Sequence, residues 1–142
     1  MKEMSKDYHD YVFRDGKLVA EFELMYRHAE GSPWHQDEQQ NWMDVRLVGE
    51  MLSDIGRFDE IHDLGCGLGN FLELMRGRIG NSDTKCFGYD ISETAIIKAK
   101  KQYPDFHFSV IDVTVQTNQP TNQFSPIIHY SWNTLVCISK VR

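Results

Sequence analysis

The sequence IHDLGCGLGNFLELM, residues 61–75, places three alternating glycines between an apolar run and a predicted helix. These are Gly65, Gly67 and Gly69, at every second position of one turn. Glycine lacks a Cβ atom and reaches positive φ easily, so a ligand can lie close to the backbone there. A helix that starts at such a turn also presents unpaired backbone N–H groups. We therefore expect the turn to contact a bound molecule.

The sequence around this turn predicts alternating strands and helices. Short apolar runs indicate the strands, and apolar residues at three- and four-residue steps indicate the helices. The predicted strands are residues 60–64, 84–89, 106–111 and 126–132. The predicted helices that follow the first two strands are residues 70–78 and 92–103. Alternation of this kind is typical of parallel βαβ units, so we expect an α/β fold.

The region before the turn has a different character. Ser32 and Pro33 fit the N-cap and first position of an amphipathic helix that is expected to continue to about residue 56. We therefore divide the chain into an N-terminal helical segment, residues 1–58, and a partial Rossmann-like cofactor-binding domain, residues 59–142.

Composition and charge argue against several classes of function. The 142 residues carry a net charge of -6, which provides no overall basic surface for nucleic acid. No apolar stretch approaches the roughly 20 residues of a membrane span, and the N-terminus lacks the apolar core of a signal peptide. The three cysteines show no CxxC spacing, and the histidines form no HxH or HxxxH pair. We expect a cytoplasmic protein with no metal site and no nucleic-acid or membrane partner.

The spacing of the glycines suggests what the turn binds. The dinucleotide fingerprint GxGxxG would place its third glycine at Asn70, whereas this chain has GxGxG preceded by Asp63. The sequence DLGCGLG, residues 63–69, resembles motif I of the class I S-adenosylmethionine-dependent methyltransferases. Residues 86–92, CFGYDIS, and 106–113, FHFSVIDV, resemble the second and third strands of that family. The resemblance covers residues 59–113 and depends on several elements in the right order.

This resemblance implies a site for S-adenosyl-L-methionine. The glycine turn would face the methionine and ribose portions of the cofactor, and Asp63 would reach its amino group. Asp90 would accept the ribose hydroxyls and Ile91 would pack on the adenine, while Asp112 would accept from the adenine amine. The implied cofactor-binding residues are Asp63, Gly65, Cys66, Gly67, Gly69, Asp90, Ile91, Ile111 and Asp112.

Some of these residues also have purely structural interpretations. Asp90 is placed to cap the helix that follows it, a role compatible with ribose binding. Asp63 would in the alternative be held by neighbouring backbone N–H groups, without a ligand contact. Trp34, in the segment ahead of motif I, would pack either on the cofactor or on the core. We expect His62 to face the neighbouring layer and not to act as a base.

The resemblance also implies an incomplete class I methyltransferase fold, with a parallel sheet of order 3-2-1-4 flanked by helices. Members of the family continue beyond the fourth strand, whereas this chain ends shortly after it. We interpret residues 116–123 as a polar linker and residues 133–141 as a short helix or a frayed tail. An open edge on the fourth strand predicts self-association or pairing with a partner chain.

Three functions fit these observations. The first is a methyltransferase that acts on a small-molecule or sugar-like acceptor, and the second is a noncatalytic S-adenosylmethionine-binding module. The third, an NAD-type dinucleotide-binding domain, is disfavoured by Asn70 and by the carboxylate of Asp63, which suits a cationic ligand better than a pyrophosphate. Methyl transfer to an activated nucleophile is largely a matter of positioning, so no dedicated base is required, and we assign no catalytic residue.

Overall fold

A small N-terminal layer precedes the central sheet in the computed structural model, which describes residues 7–112 and the backbone of residues 129–131 and 134–139. Two short helices surround an antiparallel hairpin, and a 3-10 segment leads into a longer helix. The bounds are α1, His9–Val12; β1, Phe13–Arg14; β2, Lys17–Leu18; α2, Phe22–His28; the 3-10 segment, Pro33–Asn41; and α3, Met43–Ile55. The boundary between residues 58 and 59 stays a prediction.

The remaining elements form a five-stranded sheet with its helices. Their bounds are β3, Glu60–Leu64; α4, Asn70–Ile79; β4, Lys85–Asp90; α5, Glu93–Gln102; β5, His107–Val110; β6, His129–Ser131; and β7, Thr134–Ser139. The strand order is β5-β4-β3-β7-β6, and β3, β4 and β5 are parallel. The predicted α/β class and the 3-2-1 part of the strand order are therefore confirmed.

The strand beside β3 differs from the expectation. Its place is taken by β7, which runs antiparallel to β3, and β6 pairs antiparallel with β7 at the edge of the sheet. The prediction of a helix or frayed tail at residues 133–141 is wrong, because the apolar and β-branched sequence TLVCIS favours a strand and can pair with the open side of β3. Of the predicted fourth strand, residues 129–131 form β6, and the linker at 116–123 lies outside the described residues.

The long helix predicted from Pro33 to about residue 56 is divided in the structure. The 3-10 segment ends at Asn41, and α3 begins at Met43, with Trp42 in an extended conformation between them. Trp34 and His35 adopt left-handed backbone conformations with φ of 61° and 48°. Residues other than glycine rarely adopt such φ values unless their surroundings impose them. Tertiary packing has therefore overridden the helical pattern here.

The hydrophobic core lies between one face of the sheet and helices α3, α4 and α5. Ile61, Cys86 and Phe108 point to this face from the three parallel strands and are buried. The other face carries a row of stacked rings, His62 on Phe87 and Phe87 on His107, with centroids 4.5 Å and 5.0 Å apart. The alternation of the strands therefore separates a helix-covered face from an aromatic one.

The helices of the described part are short. The longest, α3, has 13 residues, whereas a membrane-crossing helix needs about 20. Accordingly, within residues 7–112 no helix has both the length and the apolar character needed to cross a membrane.

Candidate cofactor-binding site

The candidate site lies where the carboxyl ends of β3 and β4 meet the start of α4. Gly65, Gly67 and Gly69 all have positive φ, and Gly69 is the residue before the first turn of α4. In open parallel sheets, ligands bind outside the carboxyl ends of the strands. The local sequence thus places the glycine turn at the edge of the sheet where a ligand is expected.

The backbone N–H groups of this turn are not free, in contrast to the expectation from sequence. Every N–H group from residue 65 to residue 69 donates to an acceptor within the chain. The acceptors are the Tyr89 carbonyl for Gly65 and Cys66, Asp90 Oδ2 for Gly67, Gln36 Oε1 for Leu68 and the Cys66 carbonyl for Gly69. An anionic ligand would have to displace these acceptors, so the turn is poorly prepared to bind a phosphate.

The space above Gly67 is occupied by side chains from the N-terminal layer. A Cβ atom placed on Gly67 would lie 2.5 Å from Tyr26 Oη and even closer to the Gln36 amide. Gln36 donates from Nε2 to Tyr26 Oη at 3.3 Å, and its Oε1 accepts from the Leu68 N–H at 2.9 Å. Both side chains are buried. The close approach to this glycine is therefore made, at least in part, by the protein itself.

Asp63 is the residue in the site whose environment most strongly indicates a ligand. Its side chain is fully buried, and neither carboxylate oxygen has a hydrogen-bond partner among the residues that the structure describes. Burial raises the pKa of Asp63 well above its ordinary value, and the nearby charge of Asp90 raises it further. The alternative in which backbone N–H groups hold this carboxylate is not what the structure shows. A buried acceptor without a donor is costly, and a cationic donor would satisfy it.

Asp90 joins the glycine turn to the next helix. Its Oδ2 accepts from the Gly67 N–H at 2.8 Å, and its Oδ1 accepts from the Ser92 N–H at 2.9 Å. Burial raises the pKa of Asp90, although these backbone hydrogen bonds oppose the increase. The structural role considered for Asp90 is thus present, and a carboxylate has lone pairs beyond those that the Gly67 and Ser92 N–H groups use.

A carboxylate that the sequence did not single out caps the helix after Asp90. Glu23 of α2 accepts from Ser92 Oγ at 2.6 Å, from Thr94 Oγ1 at 2.5 Å and from the Thr94 N–H at 3.1 Å. Burial raises the pKa of Glu23, but these bonds outweigh it and lower the pKa to about 2. Lys98 also donates to the Tyr26 carbonyl at 2.5 Å. These contacts attach the N-terminal layer to α5.

The remaining predicted residues surround the same end of the sheet. Ile91 follows β4 and is half exposed, so its apolar side chain is available to a ligand. Ile111 follows β5, and its N–H donates to the Asp90 carbonyl at 2.9 Å, which places Asp112 immediately beyond the strand end. Cys66 is buried in the turn, and burial raises the pKa of its thiol, which disfavours the nucleophilic thiolate.

Two further side chains pack against other aromatic side chains. Trp34 packs on the small cluster of the N-terminal layer, with its ring centroid 5.1 Å from that of Tyr8. His62 faces the aromatic side of the sheet, where its Nδ1 lies 3.2 Å from Tyr89 Oη and burial lowers its pKa. The position of Trp34 matches the core-packing alternative, and the expectation that His62 is not a base stays a prediction.

Comparison with known proteins gives one family match. The sequence profile of the methyltransferase domain family matches residues 61–140, more than half of the chain. No curated protein sequence is significantly similar.

Among solved structures, a TehB-like SAM-dependent methyltransferase from Corynebacterium glutamicum is 25% identical, with a TM-score of 0.39, over 62% of this chain and 50% of its own. Magnesium protoporphyrin IX methyltransferase from Synechocystis, solved with bound SAM, is 17% identical, with a TM-score of 0.42, over 81% of this chain and 52% of its own. The chain thus spans about half the length of these two proteins.

Proposed function

The chain belongs to the methyltransferase domain family, in agreement with its resemblance to the class I enzymes, and we propose that it binds S-adenosyl-L-methionine and transfers the methyl group to a small-molecule or sugar-like acceptor. When bound, this cofactor supplies an electrophilic methyl group on a sulfonium centre. The net charge of -6 disfavours a nucleic-acid acceptor, because phosphate binding relies on Lys and Arg.

The observation that carries this proposal is the unpaired carboxylate of Asp63. A fully buried acid that has no hydrogen-bond partner in the described part of the chain, and that lies close to a second acid, favours a cationic ligand. The ammonium group of S-adenosylmethionine would donate to Asp63 and relieve the cost of burying this group. The residues of the site therefore fit the cofactor that the family implies.

The other residues would hold the uncharged parts of the same molecule. Asp90 would accept from the ribose hydroxyls with the lone pairs that Gly67 and Ser92 leave free. The half-exposed Ile91 and the neighbouring Ile111 would contact the adenine ring, and Asp112 would accept from its amine. The glycine turn would contribute shape, since its N–H groups are already paired.

The same pairing argues against a dinucleotide ligand. Dinucleotide sites rely on free N–H groups at a glycine turn and helix N-terminus to bind a pyrophosphate. In this chain the N–H groups of residues 65–69 are used internally, and the turn adjoins two buried carboxylates, Asp63 and Asp90. A pyrophosphate would find acidic side chains here and not the donors that it needs.

A titration of the purified chain with S-adenosylmethionine, S-adenosylhomocysteine and NAD tests this proposal. We expect calorimetric heat and an increased melting temperature with the first two ligands and no response to NAD. No response to any adenosyl ligand at millimolar concentration would contradict the proposal.

Transfer of a labelled methyl group to a panel of amines, phenols and sugars then tests catalysis. Asp59→Asn, at an exposed position just before β3, is a control that should bind the cofactor as the unmodified chain does. Binding without transfer to any acceptor would favour the noncatalytic binding module.

A further inference from the structure

Helix α3 exposes a row of large apolar side chains. Met43, Leu47, Met51 and Ile55 recur at four-residue spacing and are 84%, 59%, 61% and 42% exposed. Single exposed apolar residues are common on protein surfaces, but a contiguous row indicates an interaction site. We call these four residues the α3 stripe.

The stripe lies on the side of α3 that faces away from α4. Gly49 marks the α4 side, because a Cβ atom placed there would meet Arg78 of α4 at 2.6 Å. With 3.6 residues per turn, Leu47 and Met51 project about 160° from Gly49 around the helix. The stripe is therefore found on the outer, exposed face of α3.

A row of charged residues runs beside the stripe. Arg46, Glu50 and Asp54 are all exposed and also recur at four-residue spacing. When two copies of α3 pack antiparallel and cross near Gly49, Leu47 faces Met51 and Met43 faces Ile55. In the same arrangement Arg46 of one copy falls between Glu50 and Asp54 of the other. The charged row is thus complementary to itself under a two-fold rotation.

We infer that the α3 stripe is the interface between two copies of this chain in a symmetric dimer. The self-complementary row of Arg46, Glu50 and Asp54 supports this, because a different partner would not require opposite charges arranged about a two-fold axis. Two methionines in the stripe suit such a contact, since their flexible thioethers adapt to the facing surface. None of these residues lies at the candidate cofactor site, so cofactor titration and dimer measurement succeed or fail separately.

Sedimentation equilibrium of the purified chain across the micromolar range tests this interface. We expect a concentration-dependent dimer that Leu47→Glu or Met51→Glu weakens by at least about tenfold, since each change replaces an apolar side chain at the interface with a charged one. Both positions are exposed in one chain, so the melting temperature of the monomer should not change. Ile97→Glu, at a 60% exposed position on α5, is the matched control and should leave the dimer intact.

The charged row gives a second test. Arg46→Asp and Asp54→Arg should each weaken the dimer by about two- to fivefold, because exposed ion pairs contribute little, and the double variant should restore it. A chain that stays monomeric across the range would overturn the inference. A dimer unaffected by Leu47→Glu and Met51→Glu would also overturn it, because the association would then use another surface.

Discussion

Asp90 Oδ2 accepts the backbone N–H of Gly67 at 2.8 Å, which ties the end of β4 to the middle of the glycine turn. The other oxygen of the same carboxylate accepts from Ser92 at the start of α5. A single side chain therefore sets the relative position of the turn that would face the methionine portion and the strand end that would face the ribose. Cofactor binding and local structure are expected to depend on Asp90 together.

Replacing Asp90 should consequently affect both cofactor affinity and stability. Asp90→Ala removes charge-assisted hydrogen bonds worth about 1.5–3 kcal/mol each, so cofactor affinity should fall by about ten- to a hundredfold. It also leaves the Gly67 and Ser92 N–H groups unpaired, so the free energy of unfolding should fall. Asp90→Asn keeps one acceptor and should lose less cofactor affinity and less stability. Calorimetry and urea unfolding measure the two effects, and unchanged affinity in folded Asp90→Ala would remove the ribose assignment.

Replacing Asp63 should have opposite effects on stability and on binding. Because the folded-state pKa of Asp63 is raised, its protonated form is favoured, and stability is lost as pH rises from the unfolded pKa toward the folded one. Asp63→Asn removes this loss, so the ligand-free chain should melt a few degrees higher at neutral pH, and the difference should shrink near pH 4. Cofactor affinity should fall by about ten- to a hundredfold, since the ammonium group loses its charged acceptor.

Thermal melting from pH 4 to 8 and cofactor calorimetry check the two effects of Asp63→Asn. Asp59→Asn, four residues earlier, should change neither quantity. A variant that binds the cofactor as tightly as the unmodified chain would contradict the role of Asp63.

Glu23 should make the free energy of unfolding depend on pH in the direction opposite to that for Asp63. Its folded-state pKa of about 2 lies below the ordinary value of 4.5, so its contribution is present above pH 4.5 and is lost as pH falls toward 2. Glu23→Gln should lower the free energy of unfolding at neutral pH by about 0.5–1 kcal/mol, an amount reduced by partial solvent exposure. Urea unfolding at a series of pH values measures this, with the exposed Glu38→Gln as control. If the free energy of unfolding of Glu23→Gln and of the unmodified chain varied with pH in the same way, Glu23 would not act as a cap of α5.

Gln36→Ala should loosen the glycine turn. The change removes the acceptor of the Leu68 N–H, and a buried unpaired donor costs about 1–3 kcal/mol. We expect faster amide hydrogen exchange at Leu68 and Gly67, together with a lower melting temperature. Gln40→Ala, at an exposed position of the same 3-10 segment, should leave both unchanged. Unaltered exchange at Leu68 in Gln36→Ala would show that the contact does not stabilise the turn.

The features predicted correctly from sequence are local ones. The strand ends, the glycine turn and the Ser92 cap of α5 depend on residues close together in the chain, and Ser92 Oγ does accept from the Ala95 N–H. The contacts that complete the site join distant residues. Gln36 reaches Leu68 across 32 positions, and Glu23 reaches Ser92 across 69. No periodicity or motif in one sequence identifies such pairs, so the paired state of the turn was not predictable.

The antiparallel pairing of β7 with β3 and β6 was not predictable for a related reason. A strand pattern indicates that residues are extended, but it does not specify the neighbour or the direction of pairing. The prediction of a short helix or frayed tail at residues 133–141 is wrong at residues 134–139, whose composition favours a strand. Sheet order is a property of the whole fold.

The crowding around Gly67 and Gly69 also affects how homologous sequences should be interpreted. A Cβ atom at Gly69 would lie 2.9 Å from Phe108, and one at Gly67 would collide with Gln36 and Tyr26. A descendant that had lost the cofactor would therefore still be selected to keep both glycines, because its own side chains need the space. Asp63 accepts no hydrogen bond within the described residues, so folding alone gives little reason to retain it. Its replacement, more than the loss of a glycine, would mark a lineage that has abandoned the ligand.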